Sequence, residues 1–465
     1  MRRVLPRSAA ALGVAGCLAA FPLPVAAHAL HGRVDSPLPL AAYLLGAAAA
    51  VALSFAIVAL GGPGPEGGPP PGRVRTLPAW ARGLLRLLGL TAWAWVVVQT
   101  LLGGSSDAEV ASLILWTFGW VGLPIISALV GPVWPWLDPF SSLYDLGAWV
   151  ARRLGLARSA DEEGDRSLPA GLGAWPAVAF MAFVVWIELA VRVTGGPMLG
   201  AVLIGYTLIT LAGIAAVGRD AWRSQAEVFG VWLALLGRLA PYALEGPPET
   251  GRLRRQRLGR RLVDEPWSAA LVALVALAAA SVIYDGLSQT EPFYDLFGIP
   301  AAGAESLILA AFVGAICLLV LGVAGRVGLA AMGAGLTPVA LGYLVAHYLS
   351  QLLVEGQRIM VALSDPFQLG WDLFGTAFWE PREDWLSTTA VWALQVAAVI
   401  AGHVAGAWLG HLAIRREHRA GHRVGHLPLA LVMVALTALT LWSLGQNLAF
   451  EESVSTGLVD LGSGG

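Results

Sequence analysis

The chain has no lysine, and all 29 of its basic residues are arginine. Charge of either sign is scarce: 13% of the 465 residues, where a soluble domain carries about 25%. Its two cysteines, Cys17 in a probable leader and Cys317 in an apolar run, exclude a disulfide framework. There is no P-loop, H-E-x-x-H, G-x-S-x-G or Cys/His zinc pattern, so no soluble-enzyme fingerprint announces a chemistry. No nucleic-acid module stands beside the one long basic run, and nucleic acid is not an expected partner.

What is abundant is apolar sequence: 57% of the residues are hydrophobic, many in runs long enough to cross a bilayer. The expected fold class is all-α, a polytopic transmembrane helix bundle. Residues 1–27 have the layout of a secretory signal peptide, with Arg2, Arg3 and Arg7 before an apolar run and Val25-Ala26-Ala27 at its end. Cleavage falls after Ala27 or after Ala29, and residues 28–465 then form one multi-pass domain. Spans are expected at roughly 38–61, 84–103, 110–131, 170–193, 197–217, 267–287, 306–325, 338–362, 386–412 and 429–447, about ten in all. Both mature termini are expected outside, because 22 of the 29 arginines then fall on inner segments and their edges. That places the protein in the cell membrane, with the lipid bilayer as its first partner. Two aromatic and amphipathic inner stretches, 132–158 and 225–239, suit interfacial helices. The basic run from Arg252 to Arg261 suits lipid headgroups.

The stretch from Pro338 to Leu412 carries polar groups where spans should carry none. Tyr343, His347, Gln351, Glu355 and Arg358 recur at steps of four and three, one stripe of a helix. Gln395, His403 and His411 recur at steps of eight on the next. Paired as antiparallel neighbours about the loop between them, the two stripes would set His347 against His403 and Glu355 against Gln395. Ionisable groups near a bilayer centre cost roughly 2.5 to 3.5 kcal/mol each, so a functional site is expected there; the plainer reading is hydrogen-bonded glue between helices. Gly402, Gly406 and Gly410 form a small-residue stripe that suits close approach.

Two level histidines begin a metal site, but the third ligand is missing from the seam. Cleavage after Ala27 would free His28 as an N-terminal copper-binding residue. His418, His422 and His426, four apart, could line a helical face and take a metal. Glu188, Arg192, Tyr284 and Asp285 lie near the expected outer ends of other spans; Glu188 and Arg192 could pair with each other, or join Glu355, Arg358 and Gln395 around a vestibule.

The run VAHYLSQLLVEGQ, the loop SDPFQLGWDLFGTA, LQVAAVIAGHVAG, the YDG at 284–286 and WRSQAEVFGVWLALLGRLAP at 222–241 resemble the bacterial membrane proteins known as fenitrothion hydrolases. The resemblance covers most of the chain after residue 27. Where that family tends to read SPWR, this chain has DPFSS after WPWL. The resemblance implies hydrolysis of a small apolar organophosphorus triester by a membrane enzyme, with a second membrane subunit as a partner. On that reading His347 and His403 are metal ligands or general bases, and Glu355 and Arg358 orient water and substrate; the metal would be copper or zinc. The competing expectations are a transporter or metal-handling protein built on the same stripe, and a non-catalytic membrane subunit.

Overall fold

The computed structural model describes residues 45–46, 54, 72–102, 110–155, 168–169, 171–367, 369–382, 385–419 and 426–446. The expected signal peptide, His28 and nearly all of the expected first span, 38–61, lie outside the described residues.

Helix dominates what is described. The principal helices are α1 (Ala79–Leu102), α2 (Val110–Leu129), α3 (Pro139–Arg153), α4 (Trp175–Val191), α5 (Gly196–Val217), α6 (Val228–Leu236), α7 (Ala269–Ser288), α8 (Ala302–Val327), α9 (Leu329–Leu353), α10 (Thr388–Arg419) and α11 (Leu427–Leu444). Eight of these, all except α3, α4 and α6, are long and apolar enough to cross a membrane. The shorter apolar α4 answers to the expected span at 170–193.

Burial orders the bundle. The apolar windows of α7 and α9 are 89% and 78% buried, whereas that of α1 is only 17% buried. A helix apolar on every side is consistent with either a protein core or a lipid-facing position, so these proportions separate the two uses. α7 and α9 are central, and polar side chains on them meet protein.

α9 packs along α10 through glycine. A Cβ on Gly402 would stand 2.6 Å from the carbonyl oxygen of Pro338 and 3.2 Å from Gly342 Cα, and Gly406 and Gly410 lie against the backbone of Gly335 and Ala331. Small residues let these backbones touch. The same contacts correct the expected register. They bring Gly402 to Pro338 and Gly342, so His403 lies level with Pro338–Val339 and His347 lies level with Leu394–Gln395. The two histidines are displaced by about 13 Å along the pair, at 1.5 Å per residue. The cause is the helix boundary: α9 starts at Leu329, passes through Pro338 and ends at Leu353, and residues Glu355–Arg358 form a separate 3₁₀ turn. The hairpin therefore closes earlier than hydropathy suggests.

One other expectation is corrected at the arginine-rich end. α6, within the stretch expected to lie at the interface, buries Val228, Phe229, Val231, Trp232, Leu233, Leu235 and Leu236. The helical class holds, and one small sheet is added to it: Val74–Thr76 (β1), Tyr242–Leu244 (β2) and Arg252–Arg255 (β3) pair antiparallel in the order β1-β3-β2. Period two puts Arg252 and Arg254 on one face, where both pair with Glu245. Arg260 pairs with Asp264, and Arg261 with Glu265, so much of the basic run is internally compensated. α3, in contrast, exposes Leu146, Trp149 and Val150 at helical spacing, as an interfacial helix would.

Two N-caps fasten this end. Asp138 Oδ1 accepts from the backbone N–H of Phe140 at 2.8 Å and starts α3; Glu227 accepts from Phe229 N at 2.9 Å and Gly230 N at 2.6 Å and starts α6. Glu227 also accepts from Trp134 Nε1 at 2.9 Å and the Tyr206 hydroxyl at 2.6 Å, so four donors converge on one buried carboxylate. Burial, together with the charge of Asp138, nevertheless pushes its pKa up to about 7.

Candidate functional site

The polar stripe of α9 exists, but it fans out over three neighbours. Tyr343 turns to α11, His347 to α7 and Gln351 to α2. The Tyr343 hydroxyl lies 3.1 Å from Thr437 Oγ1, and the same oxygen lies 2.8 Å from His403 Nδ1. Thr437 can accept from one neighbour and donate to the other, which joins α9, α10 and α11 by one chain of hydrogen bonds. His403 is 2% exposed and serves there as glue. Gln351 Nε2 donates to Thr117 Oγ1 at 3.4 Å, and Gln395 Nε2 donates to Ser350 Oγ at 3.4 Å.

His347 makes a different contact. Its Nε2 lies 2.8 Å from Asp285 Oδ2, with side-chain exposures of 11% and 4% for the pair. The Tyr348 hydroxyl donates to the same carboxylate oxygen at 2.9 Å, and Gln289 Nε2 donates to Oδ1 at 3.0 Å. A buried carboxylate is costly unless hydrogen-bonded, and here three side chains supply the donors. The local sequence arranges this: Asp285 and Gln289 are one turn apart on α7 and its cap, while His347 and Tyr348 are consecutive on α9 and reach across from one helix. With the carboxylate accepting Nε2–H, His347 keeps its lone pair on Nδ1. That nitrogen packs against Gly286, on which a Cβ would stand 3.4 Å from Nδ1 and 3.1 Å from Ser443 Oγ, so the glycine permits the close approach of α7 to the ring.

Glu188 is the second acid of this region. It is 5% exposed, has Asp285 as its charged neighbour, and makes no hydrogen bond or ion pair among the described residues. It sits in the π-helical end of α4, Ile187–Val191, and Thr117 sits in a π-helical part of α2, Leu113–Gly122. Such wide turns recur at functional sites because they displace side chains from the α-helical register. Arg192 follows this turn as its C-cap. Glu188 and Arg192 do not pair: Arg192, held in the left-handed conformation at φ 60°, donates through Nη2 to the buried Glu305 at 2.9 Å, beside Tyr284.

Glu355 and Arg358 pair with each other at 2.6 Å across their 3₁₀ turn. His347 and His403 are not brought together, and no group of three or more His, Cys, Asp or Glu side chains that could hold a metal ion occurs among the described residues. The residues present therefore do not fit the expected copper or zinc centre at His347 and His403. Tyr348, Gln289 and Thr437 were not legible as partners. Tyr348 carried a signal only in retrospect, standing next to the one histidine that the stripe singles out.

No family model, curated protein or solved structure matches this chain.

Proposed function

We propose that the chain is a membrane-embedded hydrolase of neutral organophosphorus triesters, with His347 as general base and Asp285 as the residue that positions it. The observation that carries this reading is the 2.8 Å contact of Asp285 with Nε2, which leaves Nδ1 as the proton acceptor, on the side of the ring that packs against Gly286. A carboxylate that fixes tautomer and ring orientation also stabilises the imidazolium that forms. Water attacks phosphorus as Nδ1 takes its proton. The P–O bond to the aryl group then breaks, and the nitrophenolate departs with the electron pair and is protonated by the imidazolium. The products are a dialkyl phosphate or thiophosphate and a nitrophenol. An apolar triester can reach the bundle through lipid, which gives a membrane location sense. The resemblance to fenitrothion hydrolases in the YDG and VAHYLSQ segments supports the same substrate class, since these carry Asp285 and His347.

One observation favours a second reading. Glu188 is a buried acid whose charged neighbour is Asp285, and paired intramembrane acids with a histidine also suit a proton relay in a transporter. The purified full chain in lipid nanodiscs, assayed with a chromogenic nitrophenyl phosphotriester, separates the two. Hydrolysis that His347→Ala abolishes, and that His403→Gln leaves intact, is the expected result. Absence of hydrolysis, with proton flux in sealed vesicles that Glu188→Gln stops, would replace the enzyme by the transporter.

A further inference from the structure

We propose that His411 and His426 form a copper(II)-binding site that clamps the last turns of α10 to the start of α11, at the arginine-rich end. His411 Nδ1 and His426 Nε2 lie 3.0 Å apart, with ring centroids at 5.0 Å, and the Trp408 ring, one turn earlier, lies 6.1 Å from that of His411. A hydrogen bond between two ring nitrogens requires one of them unprotonated, because two imidazolium rings offer no acceptor. Neutral imidazole is also the form that ligates a metal.

The spacing suits a metal as well as a proton. Two nitrogens bonded at about 2.0–2.1 Å and at right angles to one another stand about 2.9 Å apart. Small rotations of the two rings turn the contact into a cis chelate. His426 precedes the first turn of α11 and His411 is near the end of α10, so the metal would join two helices that the chain links through only a short segment. No third His, Cys, Asp or Glu joins them among the described residues. Arg415 acts on His411 with positive charge and opposes any dication. Cu²⁺ stands highest in the first-row affinity series for nitrogen ligands, so it is the dication expected to overcome that repulsion.

This site lies in a different part of the bundle from the His347–Asp285 pair and is independent of the activity proposed above. The test uses the full chain carrying no polyhistidine tag, in detergent, equilibrated with Cu²⁺ alone and freed of excess. Electron paramagnetic resonance should report one bound copper per chain with nitrogen ligands, and copper should raise the melting temperature. His411→Gln and His426→Gln should each weaken binding at least tenfold and remove the thermal shift, while the melting temperature without copper stays close to that of the parent. His28→Ala and the double variant His418→Ala/His422→Ala should bind as the parent does. Undiminished copper binding in His411→Gln and His426→Gln would overturn the proposal, as would binding lost only with His28 or with His418 and His422.

Discussion

Glu227 and Asp285 are both buried carboxylates in a chain that is mostly apolar, and they are satisfied in opposite ways. Glu227 holds two backbone N–H groups at a helix start, an indole and a phenol, all fixed by packing. Asp285 holds three side chains, and one of them is an imidazole with a second nitrogen that packs against Gly286. A carboxylate enclosed by rigid donors can only stabilise the fold. One that shares its charge with a titratable ring, next to a second buried acid, can move a proton. The difference lies in the donors, since both acids are equally removed from water.

Breaking the catalytic side of that contrast should give the largest effect. His347→Ala should lower triester turnover by about 10²–10⁴-fold, the usual contribution of a general base, with folding retained. Asp285→Asn should come close to it, because the amide can donate to Nε2 and shift the proton to Nδ1. Gly286→Ala should reduce turnover by about tenfold, by crowding Nδ1 and Ser443 Oγ; steady-state kinetics on the three variants establishes the order.

The structural side should respond in stability. Glu227 has its folded pKa raised from 4.5 to about 7. Its contribution is therefore fully present below pH 4.5 and is lost as pH rises through 7. The parent should lose about 3 kcal/mol over that window, at 1.36 kcal/mol per unit. Glu227→Gln should flatten the profile of melting temperature against pH between 4.5 and 7.5, with little change in turnover. Gly402→Val should cost about 1–3 kcal/mol by forcing α9 and α10 apart at the Pro338 carbonyl, read by thermal unfolding in detergent. The smallest effect belongs to His403→Gln, about 0.6 kcal/mol for an interhelical hydrogen bond, with turnover unchanged. Were His403→Gln as damaging to turnover as His347→Ala, the division between glue and site would fail.

Hydropathy made nearly every described long helix legible, because a run of about 20 apolar residues has few alternatives. The polar stripe of α9 was legible too, from periodicity alone. Its partners were not. Register between α9 and α10 depends on where α9 ends, and the break at Val354 followed by a 3₁₀ turn has no proline or glycine at the break itself to mark it. A misplaced end moved the expected contact of His347 from Asp285 on α7 to His403 on α10. The π-helical turns at Glu188 and Thr117 are equally silent, since a wide turn changes geometry without changing composition. The small sheet escaped notice because three- and four-residue strands in arginine-rich loops present no apolar alternation.

The tautomer of His347 tests the central claim most directly. In the full chain labelled with ¹⁵N-histidine and reconstituted in lipid, the account predicts for this ring a protonated Nε2 and an unprotonated, pyridine-like Nδ1 at neutral pH, the signal to be assigned by its loss in His347→Ala and to change in Asp285→Asn. A proton found on Nδ1, with Nε2 bare, would contradict it, for Asp285 would then have no N–H to accept and Nδ1 no lone pair to offer.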